Sequence, residues 1–123
     1  MKTLVTGDEG FIGANAVDHL LREAHEVVVV DNLSRPGTEK NLAWLHEHHG
    51  DFAFAREDIH NFEALKKVFR AHQPFDAIFH FAAQVAVTTL VENPRTDFET
   101  NALGAINVLE AKKSGAIICQ IYK

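Results

Sequence analysis

The sequence predicts an α/β fold: a doubly wound parallel sheet of five strands with helices on both faces. Three observations predict it. Short apolar runs alternate with longer stretches of helical period along the whole chain. One of these runs, Val27 to Val30, is four consecutive valines, apolar on both faces as a strand buried in a parallel sheet requires. Three glycines, Gly7, Gly10 and Gly13, stand at regular spacing where the first strand meets the first helix. The 123 residues amount to one domain, 1–123, and an apolar content of 46% supplies a core and argues against disorder.

The elements follow in order. Lys2 to Thr6 reads as the first strand. Ile12, Ala16 and Leu20, with Gly13, Val17 and Leu21 beside them, repeat at helical spacing. "HEVVVVDN" is the second strand. Thr38 is expected to cap a helix carrying Leu42 and Leu45, with Gly50 as its stop. "FAFAR" at 52–56 is the third strand. Asn61 caps the next helix, with Phe62, Leu65 and Phe69 on its inner face and Pro74 beyond its end. "FDAIFHFAA" is the fourth strand. Asn93 and Pro94 read as N-cap and first helical position, and Phe98, Ala102, Ala105 and Leu109 then repeat at helical spacing. Lys112, Lys113 and Gly115 close that helix, and "AIICQIY" is the fifth strand.

Composition excludes several classes of function. A net charge of -5, with no basic patch interleaved with aromatics, argues against nucleic acid as a partner. The single cysteine, Cys119, forms no internal disulfide and fits a reducing compartment. The first residues lack the apolar stretch of a signal peptide, and no run has membrane-spanning length, so the expected setting is cytoplasmic and away from the membrane.

The glycines have a physical reading. Gly7 allows a tight turn, Gly10 lets backbone approach a pyrophosphate with no Cβ in the way, and Gly13 lets the helix lie close on the sheet. The head of that helix offers free N–H groups and a partial positive charge to phosphates. Asp31 follows about 20 residues on, at the end of the second strand, where a carboxylate can accept both hydroxyls of an adenosine ribose. The alternative is a plain glycine turn with Asp31 at a solvated strand end. A carboxylate at Asp31 also opposes a 2′-phosphate, which favours NAD over NADP. Arg35 reads equally as an adenosine contact or as a surface loop arginine.

The spacing in "TGDEGFIG", followed by "DNLSR", resembles the extended short-chain dehydrogenase/reductase family of NAD-dependent epimerases and dehydratases that act on nucleotide sugars. The resemblance runs to about Gly115 and implies a Rossmann-type domain with NAD as cofactor. It implies cofactor contacts at Phe11 and Ile12 in the turn, and at Asn32, Ser34 and Arg35 after the second strand. In "REDIH", it implies that Asp58 bonds the adenine amino group and that Ile59 flanks the ring. In "HFAAQVAV", it implies that Phe81, Ala82, Ala83 and Gln84 line the cofactor, and in "TNALGAINVLEA" it makes Asn101 the family's structural asparagine. Within the family, the chain is similar to the branch acting on CDP-sugars. Val85 stands where UDP-glucose 4-epimerases carry a lysine, while Gln84 and the Thr88–Thr89 pair match the CDP-sugar enzymes. The implied chemistry is hydride removal from a sugar carbon and its return to the other face of a keto sugar.

One part of the family pattern is missing. Its general base is a tyrosine with a lysine four residues on, a pair that shares one helix face. The single tyrosine here, Tyr122, is followed at once by Lys123, and adjacent residues at a strand end point to opposite faces. No catalytic residue is assigned. The chain is expected to be truncated, carrying the first part of a nucleotide-binding domain and nothing of a substrate domain. The apolar strand over 116–121 would then lack cover and invite self-association into a homo-oligomer.

Other features have plainer readings. "HEHH" at 46–49 places His46 and His49 on one helix face, but too few ligands complete a metal shell, and a solvated helix end is preferred. His80 reads as strand core and Cys119 as a small apolar filler. Thr88 and Thr89 either face a substrate or bond loop backbone. The functions that remain are part of a nucleotide-sugar epimerase with a CDP-sugar as substrate, a part of another NAD-dependent sugar-nucleotide epimerase or dehydratase, or a non-catalytic NAD-binding module.

Overall fold

The computed structural model describes residues 1–7, 11–33, 37–81, 94–95, 102–111 and 117–120, with backbone alone at 11, 12, 111 and 117–120. Five strands form one parallel sheet: β1 (Lys2–Thr6), β2 (Glu26–Asp31), β3 (Ala53–Arg56), β4 (Ala77–His80) and β5 (Ile117–Gln120). Their spatial order is β3-β2-β1-β4-β5. Among the described residues, the helices between them include α1 (Phe11–Arg22), α2 (Thr38–His49), α3 (Phe62–His72) and α4 (Gly104–Ala111). The fold is the doubly wound parallel sheet expected of the sequence.

The alternation of side chains along each strand divides the core in two. On one face Val5, Val27 and Val29 meet Val17 and Leu20 of α1 and Leu45 of α2. On the other, Leu4, Val28, Val30 and Ile78 meet Leu65, Val68 and Phe69 of α3 and Val108 of α4. The four valines of β2 thus serve both layers. In register, Val5 stands between Val29 of β2 and Phe79 of β4, so β1 is paired on both sides at the centre of the sheet.

Helix ends follow local chemistry. Asn61 caps α3, its Oδ1 accepting from the Ala64 N–H at 3.1 Å, and the helix stops ahead of Pro74. Gly50 ends α2 at φ 73, its N–H donating to the His46 carbonyl. The start of α2 corrects the expected cap. Thr38 is the first helical residue, 1% exposed. Gly37 before it takes φ 88, and its carbonyl accepts the N–H groups of Lys40 and Asn41. A left-handed residue makes this turn, a conformation that favours glycine over threonine.

The helical repeat of α4 ends on Leu109, which is 52% exposed, beside Ile106 at 48%. The buried face is instead Gly104, Asn107 and Val108. A polar side chain turns inward because its hydrogen bonds are met there. Residues 94–95 are helical, as expected of Pro94. Asn93, Phe98, Lys112, Lys113, Gly115, Ala116 and Ile121 lie outside the described residues, while β5 forms one edge of the sheet, paired with β4.

Candidate nucleotide-binding site

In a doubly wound sheet, ligands settle beyond the carboxyl ends of the strands, where the chain reverses its direction of winding. Here that point lies between β1 and β4. Gly7 leaves β1 at φ 80, buried, with its N–H donating to the Val30 carbonyl at 3.0 Å. A left-handed turn directly after a central strand needs a residue without a Cβ. Phe11 and Ile12 open α1, whose first N–H groups have no partner within the helix. Gly13 is buried in the first turn of α1. Gly10 lies outside the described residues.

Asp31 ends β2 and is 5% exposed, which corrects the reading of a solvated strand end. Its Oδ1 accepts weakly from the Leu33 N–H at 3.4 Å, an Asx-type turn, with Leu33 held at a positive φ of 56. Its Oδ2 is buried with no partner among the described residues. A buried acceptor left unmatched costs roughly 1–3 kcal/mol. The two hydroxyls of a ribose are donors of the kind that would relieve it, so the site fits the adenosine end of NAD. Asn32 is half-buried beside it. Ser34 and Arg35 lie outside the described residues.

The loop after β3 carries the second carboxylate. Asp58 Oδ1 accepts from the His60 N–H at 2.9 Å and lies 3.1 Å from His60 Nδ1, with the side chain 43% exposed. Ile59 is 6% exposed and packs with the residues of α3 and α4 in the core. Asn107 of α4 donates from Nδ2 to the carbonyls of Ile59 at 2.8 Å and His60 at 3.1 Å. The Glu57 N–H donates to the Asp31 carbonyl and ties this loop to the end of β2.

At the end of β4, Thr6 Oγ1 and His80 Nδ1 share a hydrogen bond of 2.6 Å. His80 is 2% exposed, and burial lowers its pKa below the usual 6.5, so the ring is neutral near pH 7. Its Nε2 has no partner among the described residues. The core role expected of His80 holds, with a hydrogen bond added. The Phe81 N–H donates to the Thr6 carbonyl at 2.8 Å, and its ring stacks on Phe79. Ala82, Ala83, Gln84, Val85, Thr88, Thr89, Asn101, Tyr122 and Lys123 lie outside the described residues, as does the Cys119 side chain.

The histidines of α2 diverge. His46 bonds the Gly50 carbonyl and stacks on Phe52, and His48 bonds the Trp44 carbonyl. His49 is not at a solvated end: its Nε2 lies 2.7 Å from Oδ1 of Asp18, a buried carboxylate that also pairs with Arg22 at 2.9 Å. A cavity of about 250 Å³, lined by Lys2, His25, Glu26 and Asp51, lies at the amino ends of the strands, away from the switch point. Sequence reasoning missed Thr6, His60 and Asn107. The threonine closing the apolar run of β1, the histidine two residues past Asp58 and the asparagine within α4 were the available signals. Among the described residues, no helix is long and apolar enough to cross a membrane.

Comparison with known proteins places these features. The family described as GDP-mannose 4,6 dehydratase matches residues 4–122. The CDP-paratose 2-epimerase of Salmonella typhi is 41% identical over 121 residues, covering 98% of this chain and 35% of that protein. Among solved structures, the UDP-glucose 4-epimerase of Thermus thermophilus in complex with NAD aligns with a TM-score of 0.78 at 40% identity, covering 90% of this chain and 33% of that one. Pal from Bacillus thuringiensis aligns with a TM-score of 0.87 at 30% identity, covering 98% and 38%. The chain spans about a third of the length of these relatives.

Proposed function

The chain belongs to the family described as GDP-mannose 4,6 dehydratase, and on that premise we propose that it is the NAD-binding part of a nucleotide-sugar epimerase whose substrate is a CDP-sugar. The observation that carries the reading is Asp31, buried beyond the glycine turn with one carboxylate oxygen unmatched among the described residues. The likeness to the Salmonella typhi CDP-paratose 2-epimerase supports the CDP-sugar part.

Each residue has a share in holding the dinucleotide. The turn of Gly7, Gly10 and Gly13 and the first N–H groups of α1, at Phe11 and Ile12, take the pyrophosphate. Asp31 accepts the adenosine ribose hydroxyls, with Asn32, Ser34 and Arg35 around them. Asp58 accepts from the adenine amino group, and Ile59 backs the ring. Phe81, Ala82, Ala83, Gln84 and Asn101 border the half nearer the nicotinamide. NAD, when bound, supplies the acceptor and donor of a hydride for a sugar carbon. The buried Thr6–His80 pair keeps β1 and β4 closed beneath the crevice. A cytoplasmic setting and self-association along the β5 edge belong to the same reading, and light scattering at tens of micromolar should show species larger than a monomer (roughly the range where such association appears).

The 123 residues hold no Tyr-x-x-x-Lys pair, which favours cofactor holding over turnover by this chain alone and keeps a non-catalytic NAD-binding module as the second reading. Purified chain with NAD and CDP-paratose should give no epimerised product. The main test is affinity. The unmodified chain should bind NAD more tightly than NADP, and Asp31→Ala should weaken NAD and shrink the preference. Equal or tighter binding of NADP by the unmodified chain would overturn the reading.

A further inference from the structure

We propose that Asn107 is a positioning residue for adenine recognition, holding from α4 the peptide whose N–H meets Asp58. The proposal rests on the dinucleotide reading above and adds a residue to it. The Ile59–His60 peptide is gripped at both ends. Its carbonyl accepts from Asn107 Nδ2 at 2.8 Å, and its N–H, on the opposite side of the same plane, donates to Asp58 Oδ1 at 2.9 Å. A trans peptide is rigid, so fixing the direction of the carbonyl fixes the direction of the N–H. The second amide hydrogen of Asn107 goes to the next carbonyl, that of His60, at 3.1 Å, which sets the following turn as well.

Asn107 is 7% exposed, and a buried amide is stable there only while both donors are met. The loop and the side chain therefore hold each other. With Oδ1 committed to His60 and the side chain 43% exposed, Asp58 Oδ2 is the oxygen left to receive a donor from a ligand. The exocyclic amino group of adenine is such a donor, whereas a carbonyl at the same ring position is not. Asn107 touches neither group. It acts through the peptide.

The experiment compares NAD with deamino-NAD, in which that amino group is replaced by a carbonyl, titrating the 123-residue chain by calorimetry. The unmodified chain should prefer NAD by roughly ten-fold, the scale of one hydrogen bond to a charged group. In Asn107→Ala the preference should fall to about two-fold or less, through weaker NAD binding, with deamino-NAD affinity kept within about two-fold. Asn107→Ser, which keeps one donor, should fall between, and serves if the alanine variant unfolds. Equal weakening of both ligands, or survival of the full preference, overturns the proposal and leaves Asn107 a purely structural residue. No preference in the unmodified chain also overturns it, while the NAD assignment stands. Binding of neither dinucleotide removes the NAD assignment itself and this proposal with it.

Discussion

Asp31 and Asp58 follow neighbouring strands at the same edge of the sheet, and their surroundings differ in kind. Asp31 is 5% exposed, with one oxygen at a long 3.4 Å from its donor and the other unmatched among the described residues. The Asp58 side chain is 43% exposed, with one oxygen firmly bound to His60. The first carboxylate is under-satisfied among the described residues, and in the proposed site a ligand would relieve it. The second has one oxygen satisfied beforehand, and in the proposed site a ligand would add to it. Burial concentrates binding energy, because an unmatched buried group gains most from a partner. A prearranged exposed group adds selection at small cost.

The comparison breaks first at Asp31. Asp31→Ala should cost about 2–3 kcal/mol of NAD affinity, from the loss of charge-assisted hydrogen bonds in a dry setting. Thermal stability without ligand should hold or rise, because an unmatched buried oxygen is removed. Asp58→Ala should cost less, about 1–1.5 kcal/mol, because water competes at its exposed site. Equal losses at the two positions would erase the distinction. Calorimetric titration and thermal melts of both variants read it directly.

A third variant tests whether the Asp58 loop is held by its helix or by Asn107. Asn61→Ala removes the α3 cap and should lower stability by about 1 kcal/mol, a shift of a few degrees in Tm. The preference for NAD over deamino-NAD should be unchanged. A collapse of that preference would assign the loop to the cap instead.

The smallest effect is on pH dependence, and it involves neither carboxylate. Burial holds the His80 pKa below 6.5 in the folded chain. Below pH 6.5 the unfolded chain takes up the proton more readily, so the stability that neutral His80 contributes is fully present above 6.5 and is lost as pH falls toward the lower folded value. His80→Gln should flatten this acid slope in urea unfolding between about pH 7.5 and about pH 5.5. An unchanged slope would place the acid sensitivity elsewhere.

Periodicity and turn chemistry made most of the fold legible. Lys2–Thr6, the valines of β2 and the Asn61 cap stand where the pattern puts them, because burial on both faces and a missing N–H partner leave direct marks in residue type. The start of α2 was misread because Thr38 has the right chemistry for a cap, while the left-handed backbone at Gly37 decided the turn. In α4 the hydrophobic period pointed to Leu109, but Asn107 turns inward because two carbonyls 47 and 48 residues away receive it. A hydropathy pattern registers polarity and cannot register a partner supplied by a distant loop. At the site, Asp31 was visible from its distance to the glycines, whereas its unmatched oxygen became visible only with the packing around it.

The place of β1 has a consequence for synthesis. Its bond to β2 reaches 23 residues along the chain, from Thr3 to Glu26, but its bond to β4 reaches 74, from Thr6 to His80. Of these five strands the central one is made first, and one of its edges waits for a partner about 50 residues further on. At about 5–20 residues per second, a ribosome needs roughly 3–10 s to deliver it. Throughout that interval, the apolar Leu4 and Val5 lie on a strand with an open row of backbone donors and acceptors, the kind of edge that recruits a foreign strand. Neighbouring nascent chains on one message hold such edges at the same moment. The yield of folded protein should therefore depend on translation speed and chaperone supply more than its final stability implies.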